Sequence, residues 1–232
     1  MRLHRQSPSA SGGFRHAGEL GHTTNPTRRR CPALWRRSPS RHRRTSPHGV
    51  SRHRSCVLRV FVSVCLVVAI AVIAGLPVYV RPHTDQLRHA DAILVLGGPY
   101  ERRYAFGLAL ASQGWAPNVV LSNPNGTDDQ ELTDYCATQH AGFELHCFVP
   151  DPPTTKGEGR ALRSLASQYG WRTVIVVTFR PHISRARYIL ERCFDGALEM
   201  VASPANIPAP RWAFEYVYQT SAYVRAMLDP DC

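Results

Sequence analysis

The feature that most limits how this chain can fold is an uncharged apolar stretch in its first third. From Val60 to Val80 the sequence reads VFVSVCLVVAIAVIAGLPVYV, without a charged residue. A helix needs about 20 consecutive apolar residues to cross the hydrocarbon core of a bilayer. We therefore predict a transmembrane helix over 59–80, joined by a linker (81–90) to the rest of the chain.

The segment before this stretch, 1–58, is strongly basic. With the adjoining Arg59 it holds fourteen arginines, and Glu19 is its one acidic residue. Its Arg, Ser, Pro, His and Gly content leaves too few apolar residues to offset the entropy lost on ordering, so we predict a disordered tail. The formal net charge of +11 belongs to this tail, and the remainder of the chain gives no support for nucleic-acid binding.

Basic residues are distributed unevenly about the predicted helix. Arg52, Arg54 and Arg59 flank its N-terminal side, whereas the nearby basic residues on its C-terminal side are Arg81 and Arg88. The positive-inside rule then places the tail in the cytoplasm and the C-terminal domain outside it. We predict a single-pass protein of the plasma membrane. A cleaved signal peptide is the alternative, which the length of the apolar run disfavours.

Strand and helix patterns alternate through residues 91–232, which we predict to form one domain. Short apolar, β-branched runs are typical of buried strands, and helical segments separate them. The predicted strands are 91–97, 118–122, 144–149, 173–178 and 197–201. The predicted helices are 102–114, 129–141, 156–170, 181–194 and 210–228. This order predicts an α/β fold, a Rossmann-like three-layer domain with a parallel sheet of about five strands.

Four cysteines fall within the predicted domain. An even number of cysteines in an exported domain suggests two disulfides. Three pairings are possible. We favour Cys136–Cys147, which joins a helix to the next strand, and Cys193–Cys232, which ties down the C-terminus.

A zinc site is the alternative use of the first two cysteines. It would combine Cys136 and Cys147 with His140 and His146. His146 and Cys147 are adjacent on a predicted strand, and adjacent strand residues point to opposite faces. The geometry therefore favours the disulfide.

Residues that follow the first and fourth predicted strands are suited to binding an anion. Ligands of open α/β sheets bind beyond the carboxyl ends of the strands, near the switch in strand order, and we expect these two strands to be central neighbours. Gly97 and Gly98 allow the backbone to approach an anion closely, and Arg103 offers a bidentate guanidinium. His182 and Arg185 share a helix face near its positive end. The sequence thus predicts an anion pocket, with phosphate as the expected ligand.

The other strand ends supply further candidates, namely Ser122, Asn123, Thr155, Glu158 and Thr178. If the site is hydrolytic, we expect His182 to act as acid or base, with Glu158 orienting His182 or a water. The alternative is structural. Thr155 and Glu158 match a helix capping box, and the two arginines can pair with Glu158 or Asp151.

Several widespread catalytic signatures are absent from the sequence. It has no GxGxxG, Walker A, GxSxG or HExxH motif. Dinucleotide-binding, P-loop, serine-hydrolase and zinc-protease functions therefore lack their usual support. No cofactor and no dedicated metal site are predicted.

Several segments together resemble a known bacterial family. In order they are DAILVLGG, Arg103 before LALASQG, APNVVLS, Glu131, TTKGE, VIVVT and HISRAR. The combination is similar to the SanA/ElyC/YdcF-like family, and the Arg-rich, Lys-poor composition and paired cysteines resemble an actinobacterial branch. The resemblance implies a membrane-anchored Rossmann-like domain with a role in the envelope or in peptidoglycan precursors. Carried over by position, the pocket residues are Gly97, Gly98, Arg103, Ser122, Glu131, Thr155, Glu158, Thr178, His182 and Arg185.

The sequence departs from the family pattern at three positions. Asn123 stands where the family often has Gly, Glu158 replaces an Asn, and Arg180 precedes the histidine segment where a small or aromatic residue is usual. Some family members are linked to undecaprenyl phosphate. We therefore expect an envelope protein that binds or processes a phosphorylated ligand, such as that lipid carrier, in cell-wall biogenesis. The alternatives are a non-catalytic module for a nucleotide-like cofactor such as S-adenosylmethionine, and a scaffold for cell-wall assembly.

Overall fold

A computed structural model describes the chain over residues 49–98 and 102–232. The predicted tail therefore lies largely outside the described residues. Its last part is helical, because α1 (Gly49–Gly75) begins well before the predicted start of the membrane helix and continues into a π-helical turn, Leu76–Val80. From Arg54 to Val80 this helix has 27 residues, with a mean hydropathy of 2.9 in its most apolar window. It is long and apolar enough to cross a membrane.

Strands and helices alternate after this helix. The strands are β1 (Ala92–Val95), β2 (Asn118–Ser122), β3 (Glu144–Phe148), β4 (Thr173–Phe179) and β5 (Ala197–Ser203). The helices are α2 (Arg102–Ser112), α3 (Gln130–Ala137), α4 (Thr155–Tyr169), α5 (Ile183–Leu190) and α6 (Ala209–Leu228). Short 3-10 turns, Gly126–Asp128 and Arg180–His182, precede α3 and α5. The helices predicted over 129–141 and 181–194 are therefore shorter than the sequence pattern indicated.

Within the described residues, all five strands are parallel and form one sheet in the order β3-β2-β1-β4-β5. β1 lies between β2 and β4, with Leu94 opposite Val120 on one side and Val176 on the other. The order reverses between β1 and β4, so their carboxyl ends form the switch point where ligands of such sheets bind. The predicted fold class is confirmed, including the central pairing of the first and fourth strands.

Two apolar layers cover the sheet. On one face, Ile93 and Val95 pack with Leu110 of α2 and Leu132 of α3. On the other face, residues of α4 and α5 such as Leu162 pack against alternate strand residues. β1 is buried at all four positions, and full burial of such an aliphatic side chain contributes about 1.5–3 kcal/mol. The sheet is thus a rigid base for the loops at its carboxyl edge.

The N-terminus of α4 differs from the predicted capping box. Thr154, not Thr155, is the N-cap residue, and its side chain accepts a hydrogen bond from the amide of Gly157. The carboxylate of Glu158 does not turn back to the cap but reaches the β1 loop, as described below. The capping-box prediction was therefore wrong by one residue, and this shift releases both Thr155 and Glu158 to face the switch point.

The two disulfides match the favoured pairing. Cys136 of α3 bonds to Cys147 of β3, and Cys193 bonds to Cys232 at the C-terminus. Both thiols that the alternative zinc site required are thus joined to each other. The second bridge holds the end of the chain, just beyond α6, against the segment that follows α5.

Candidate functional site

A cavity of about 640 Å³ opens at the carboxyl ends of β1 and β4. Its walls include Gly97 and Gly98 after β1, Arg103 of α2, and His182 and Arg185 around the start of α5. Thr155 and Glu158 of α4 line it as well. The side chains that the sequence placed after different strands therefore converge at one rim of the sheet.

Arg103 fixes the loop after β1. Its Nη1 donates hydrogen bonds to the carbonyl oxygens of Leu96 at 2.9 Å and Gly97 at 2.6 Å, and its guanidinium lies over the ring of Phe179. The side chain is 1% exposed. Gly98 has φ +133°, and a Cβ there would come within 3.2 Å of the Arg103 guanidinium. Arg103 therefore stabilises the conformation of this loop and also lines the cavity.

Glu158 holds the same loop from the opposite side. Its Oε1 accepts a hydrogen bond of 2.6 Å from the amide of Gly97. Burial raises the pKa of Glu158, while the nearby Ser122 hydroxyl and the hydrogen bond from the Gly97 amide oppose that shift. The Gly97 amide, predicted as an anion donor, is thus already bonded to a carboxylate. Arg103 and Glu158 do not form an ion pair; each instead binds the backbone of Gly97.

His182 is buried between two threonine hydroxyls. Thr178 Oγ1 lies 3.0 Å from its Nδ1, and Thr155 Oγ1 lies 3.3 Å from its Nε2. Burial holds the pKa of His182 well below its usual range, and the positive charges of Arg185 and Arg103 lower it further. Thr178, and not Glu158, is therefore the residue that contacts His182 Nδ1, and the expected role of Glu158 in orienting a water stays a prediction. A neutral imidazole donates at one nitrogen and accepts at the other, so His182 can exchange a proton with the cavity through Thr155.

Stability is expected to fall as the pH falls below the usual His pKa of 6.5, because His182 resists protonation in the folded state. The unfolded chain takes up that proton first, so the stabilisation is complete above this pH and is lost at lower pH by up to about 1.4 kcal/mol per pH unit. His182→Gln should remove this part of the dependence of melting temperature on pH. His89→Gln, which changes an exposed histidine, should retain it. If melting temperature depends on pH equally in wild type and His182→Gln, His182 is not the source of this dependence.

Arg185 is connected to α6 by a chain of polar contacts that sequence reasoning missed. Its Nε donates to Gln219 Oε1 at 2.9 Å, and Gln219 Nε2 donates to Glu215 Oε2 at 3.0 Å. Glu215 is almost fully buried and also accepts from Arg211 at 2.8 Å. Residues 211, 215 and 219 are spaced by four, which puts them on one helix face. That spacing was the available signal, although it does not reveal that the face points inward.

The remaining walls divide into a basic part and an apolar part. Lys156 pairs with Asp229 at 2.6 Å, whereas Arg225 has no carboxylate partner among the described residues. Ile189 of α5 and the aromatic rings of Phe214 and Tyr218 of α6 also line the cavity. The cavity therefore suits a ligand that joins an anionic group to an apolar one.

Four predicted ligand residues do not line the cavity. Ser122, Asn123 and Thr178 are buried and are not part of its lining. Asn123 Nδ2 donates to the carbonyl oxygen of Gly126 at 2.9 Å, so its amide shapes the loop after β2. Glu131 is exposed on α3. In the described part of the chain, no three His, Cys, Asp or Glu side chains gather as metal ligands.

The chain was compared with protein-family models, with curated proteins and with solved structures, and none of the three comparisons gave a match. The resemblance to the SanA/ElyC/YdcF-like family therefore stays a prediction from the sequence.

Proposed function

We propose that the domain binds a phosphate-bearing ligand in the cavity at the carboxyl ends of β1 and β4. The observation that carries the proposal is the state of Arg185. Of the three guanidinium nitrogens of Arg185, only Nε has a hydrogen-bonding partner among the described residues, namely Gln219. The side chain also lines the cavity. Two terminal nitrogens of a positioned guanidinium are thus left for a ligand, and their fork matches two oxygens of a phosphate.

The electrostatics of the site favour an anion over a cation. Four carboxylates line the cavity. Those of Glu215 and Asp229 are each paired with a basic side chain, that of Glu158 accepts from the Gly97 amide, and that of Asp231 is exposed to solvent. Arg185 and Arg225 have no such carboxylate partner in the described part of the chain. Basic side chains therefore outnumber carboxylates in the cavity lining by six to four, and the potential is positive near Arg185.

The apolar wall narrows the class of ligand. Rings from α6 and the side chain of Ile189 face the same space as Arg185, which favours a phosphate attached to a hydrocarbon chain. The apolar helix Arg54–Val80 would hold the domain beside a membrane. An undecaprenyl-phosphate-type lipid carrier combines these features, and a role in cell-wall biogenesis follows from the family resemblance in the sequence.

The location outside the cytoplasm is part of the same proposal. Two disulfides suggest an oxidising compartment, and by the positive-inside rule the arginines before the helix favour a cytoplasmic N-terminus. S-adenosylmethionine, the alternative ligand, is made and used in the cytoplasm. A cytoplasmic domain with reduced cysteines would therefore favour that alternative.

Arg185→Gln tests the proposal directly. We expect the full chain, purified in detergent, to bind undecaprenyl phosphate about 10- to 100-fold more weakly after this change, because a charge-assisted hydrogen bond contributes about 1.5–3 kcal/mol. Gln219 keeps its other partner, Glu215, so the melting temperature without ligand should change little. Binding is measured by the ligand-dependent shift in melting temperature and by titration calorimetry.

Arg180→Gln is the matched control. Arg180 is exposed in the turn before His182 and does not line the cavity, so the same loss of charge should leave affinity unchanged. Inorganic phosphate and S-adenosylmethionine serve as further ligands in the same assay. Equal affinity of wild type and Arg185→Gln for undecaprenyl phosphate contradicts the proposal, and stabilisation by S-adenosylmethionine alone supports the alternative.

A further inference from the structure

The polarity of α6 is reversed with respect to an ordinary surface helix. Its charged and amide side chains, Arg211, Glu215, Gln219 and Arg225, line the cavity. The opposite side is uncharged and apolar, and we call it the outer face of α6. It comprises Val217, Val224, Met227 and Leu228, each at least half exposed. A soluble helix normally places its apolar stripe toward the core, so this outer face lacks a partner among the described residues.

The same helix packs directly on the end of the apolar helix. Tyr216 donates a hydrogen bond of 3.2 Å to the carbonyl oxygen of Val72 and meets the ring of Tyr79 edge-on at 5.2 Å. The hydroxyls of Tyr79 and Thr220 lie 2.9 Å apart. A Cβ on Gly75 would come within 2.4 Å of the Tyr216 ring. α6 therefore lies closely against residues 72–79. The apolar surface of the helix that contains these residues, which we call the anchor, continues onto the outer face of α6.

The depth of this contact can be estimated from helix geometry. Counted from Arg59, about 20 residues fill the hydrocarbon core, which then ends near Tyr79. Val72 lies seven residues earlier, about 10 Å inside that limit at 1.5 Å per residue. Interfacial helices bury their apolar face about 5–10 Å into the boundary between headgroups and acyl chains. Tyr216 thus reaches the depth at which such helices lie.

We propose that the outer face of α6 lies in the outer surface of the membrane that α1 crosses. The chemistry of the helix fits this partner. Trp212 and Tyr216 lie in its first half and do not line the cavity, and Trp and Tyr side chains are enriched at membrane interfaces. α6 then forms the membrane-side wall of the cavity, with its charges toward the ligand and its apolar side chains toward lipid.

The anchor favours the bilayer over a second protein as the occupant. The tether keeps the membrane within reach of α6 at all times, so docking on it is intramolecular and avoids the entropy cost of association. Burial of the outer face is also favoured by its apolar area alone, since it has no charge that would need a partner. This inference does not depend on the identity of the cavity ligand.

Depth-dependent quenching tests the proposal on the full chain in vesicles. Cys31, Cys56 and Cys65 are first replaced by Ser, and Val217→Cys is labelled with an environment-sensitive dye while the disulfides stay oxidised. We expect a blue-shifted emission and strong quenching by lipids that carry a spin label near the headgroup. Val224→Cys provides a second position if the first variant folds poorly.

Gln168→Cys on the exposed surface of α4 is the matched control, and its dye should emit as in water without quenching by lipid. Emission at Val217 and Val224 equal to that at Gln168 overturns the proposal. A blue-shifted dye at Val217 that lipid does not quench, together with cross-linking between chains at that position, also overturns it and assigns the outer face to self-association.

Discussion

Cys232→Ser is expected to lower the free energy of unfolding by about 4 kcal/mol, since the lost bridge closes a long loop. The bond joins residues 39 apart in sequence, whereas Cys136 and Cys147 are 11 apart. Loop-closure entropy gives about 4 kcal/mol for the longer loop and about 3 kcal/mol for the shorter one. Cys147→Ser is therefore the comparison, and it should lower the free energy of unfolding by less.

The position of the longer bridge adds a functional consequence. Beyond α6, the chain end is otherwise held by exposed contacts, Lys156 with Asp229 and Arg160 with the Cys232 carbonyl, and exposed ion pairs contribute little. Loss of the bridge should therefore loosen the end of α6 and weaken ligand binding. Cys193 is buried and packs as a small apolar residue, so the remaining thiol adds little cost.

Chemical denaturation of the full chain in detergent micelles checks this expectation, with and without a reducing agent. The reducing agent should bring wild type close to the stability of a variant that lacks both bridges. If Cys232→Ser unfolds at the same denaturant concentration as wild type, or if Cys147→Ser costs more, the bridge does not act through loop closure.

The fold was accessible from the sequence because its signals are local. β1 reads as a continuous apolar run, as expected for a strand covered on both faces, and the alternation of strands with helices leaves few possible topologies. The favoured disulfides followed from that topology, since Cys136 ends a helix whose next strand carries Cys147. The convergence of the strand-end residues followed from the parallel arrangement alone.

The partners of the site residues were not accessible in the same way. The capping-box rule relates residues three apart, but Glu158 accepts a hydrogen bond from Gly97, which is 61 residues away. The sequence around neither residue indicates that the two are in contact. Periodicity also shows that Glu215 and Gln219 share a face without showing its direction. In most proteins the polar face of a surface helix meets water; here it meets the cavity.

Gly157→Ala is expected to destabilise the protein by about 3 kcal/mol, because the added methyl group overlaps backbone atoms. A Cβ at Gly157 would lie 2.0 Å from the carbonyl oxygen of Pro152 and 2.9 Å from the carbonyl carbon of Asp151. Neither atom can move as a side chain can. In a solvent-exposed helix the same change would raise stability by about 0.5–1 kcal/mol. The steric overlap therefore reverses the sign of the effect on stability.

The overlap should also affect the cavity, since the displaced loop contains Pro152, Pro153 and Thr154, which line it. We therefore expect Gly157→Ala to weaken binding of undecaprenyl phosphate together with stability. Ser164→Ala on the exposed face of α4 is the control; it adds helix propensity without a clash, and its effect should stay within about 0.5 kcal/mol. If Gly157→Ala is as stable as wild type in denaturation, α4 does not pack on the Pro152 carbonyl. The position of Thr155 beside His182 then loses its support, because the same helix turn sets both contacts.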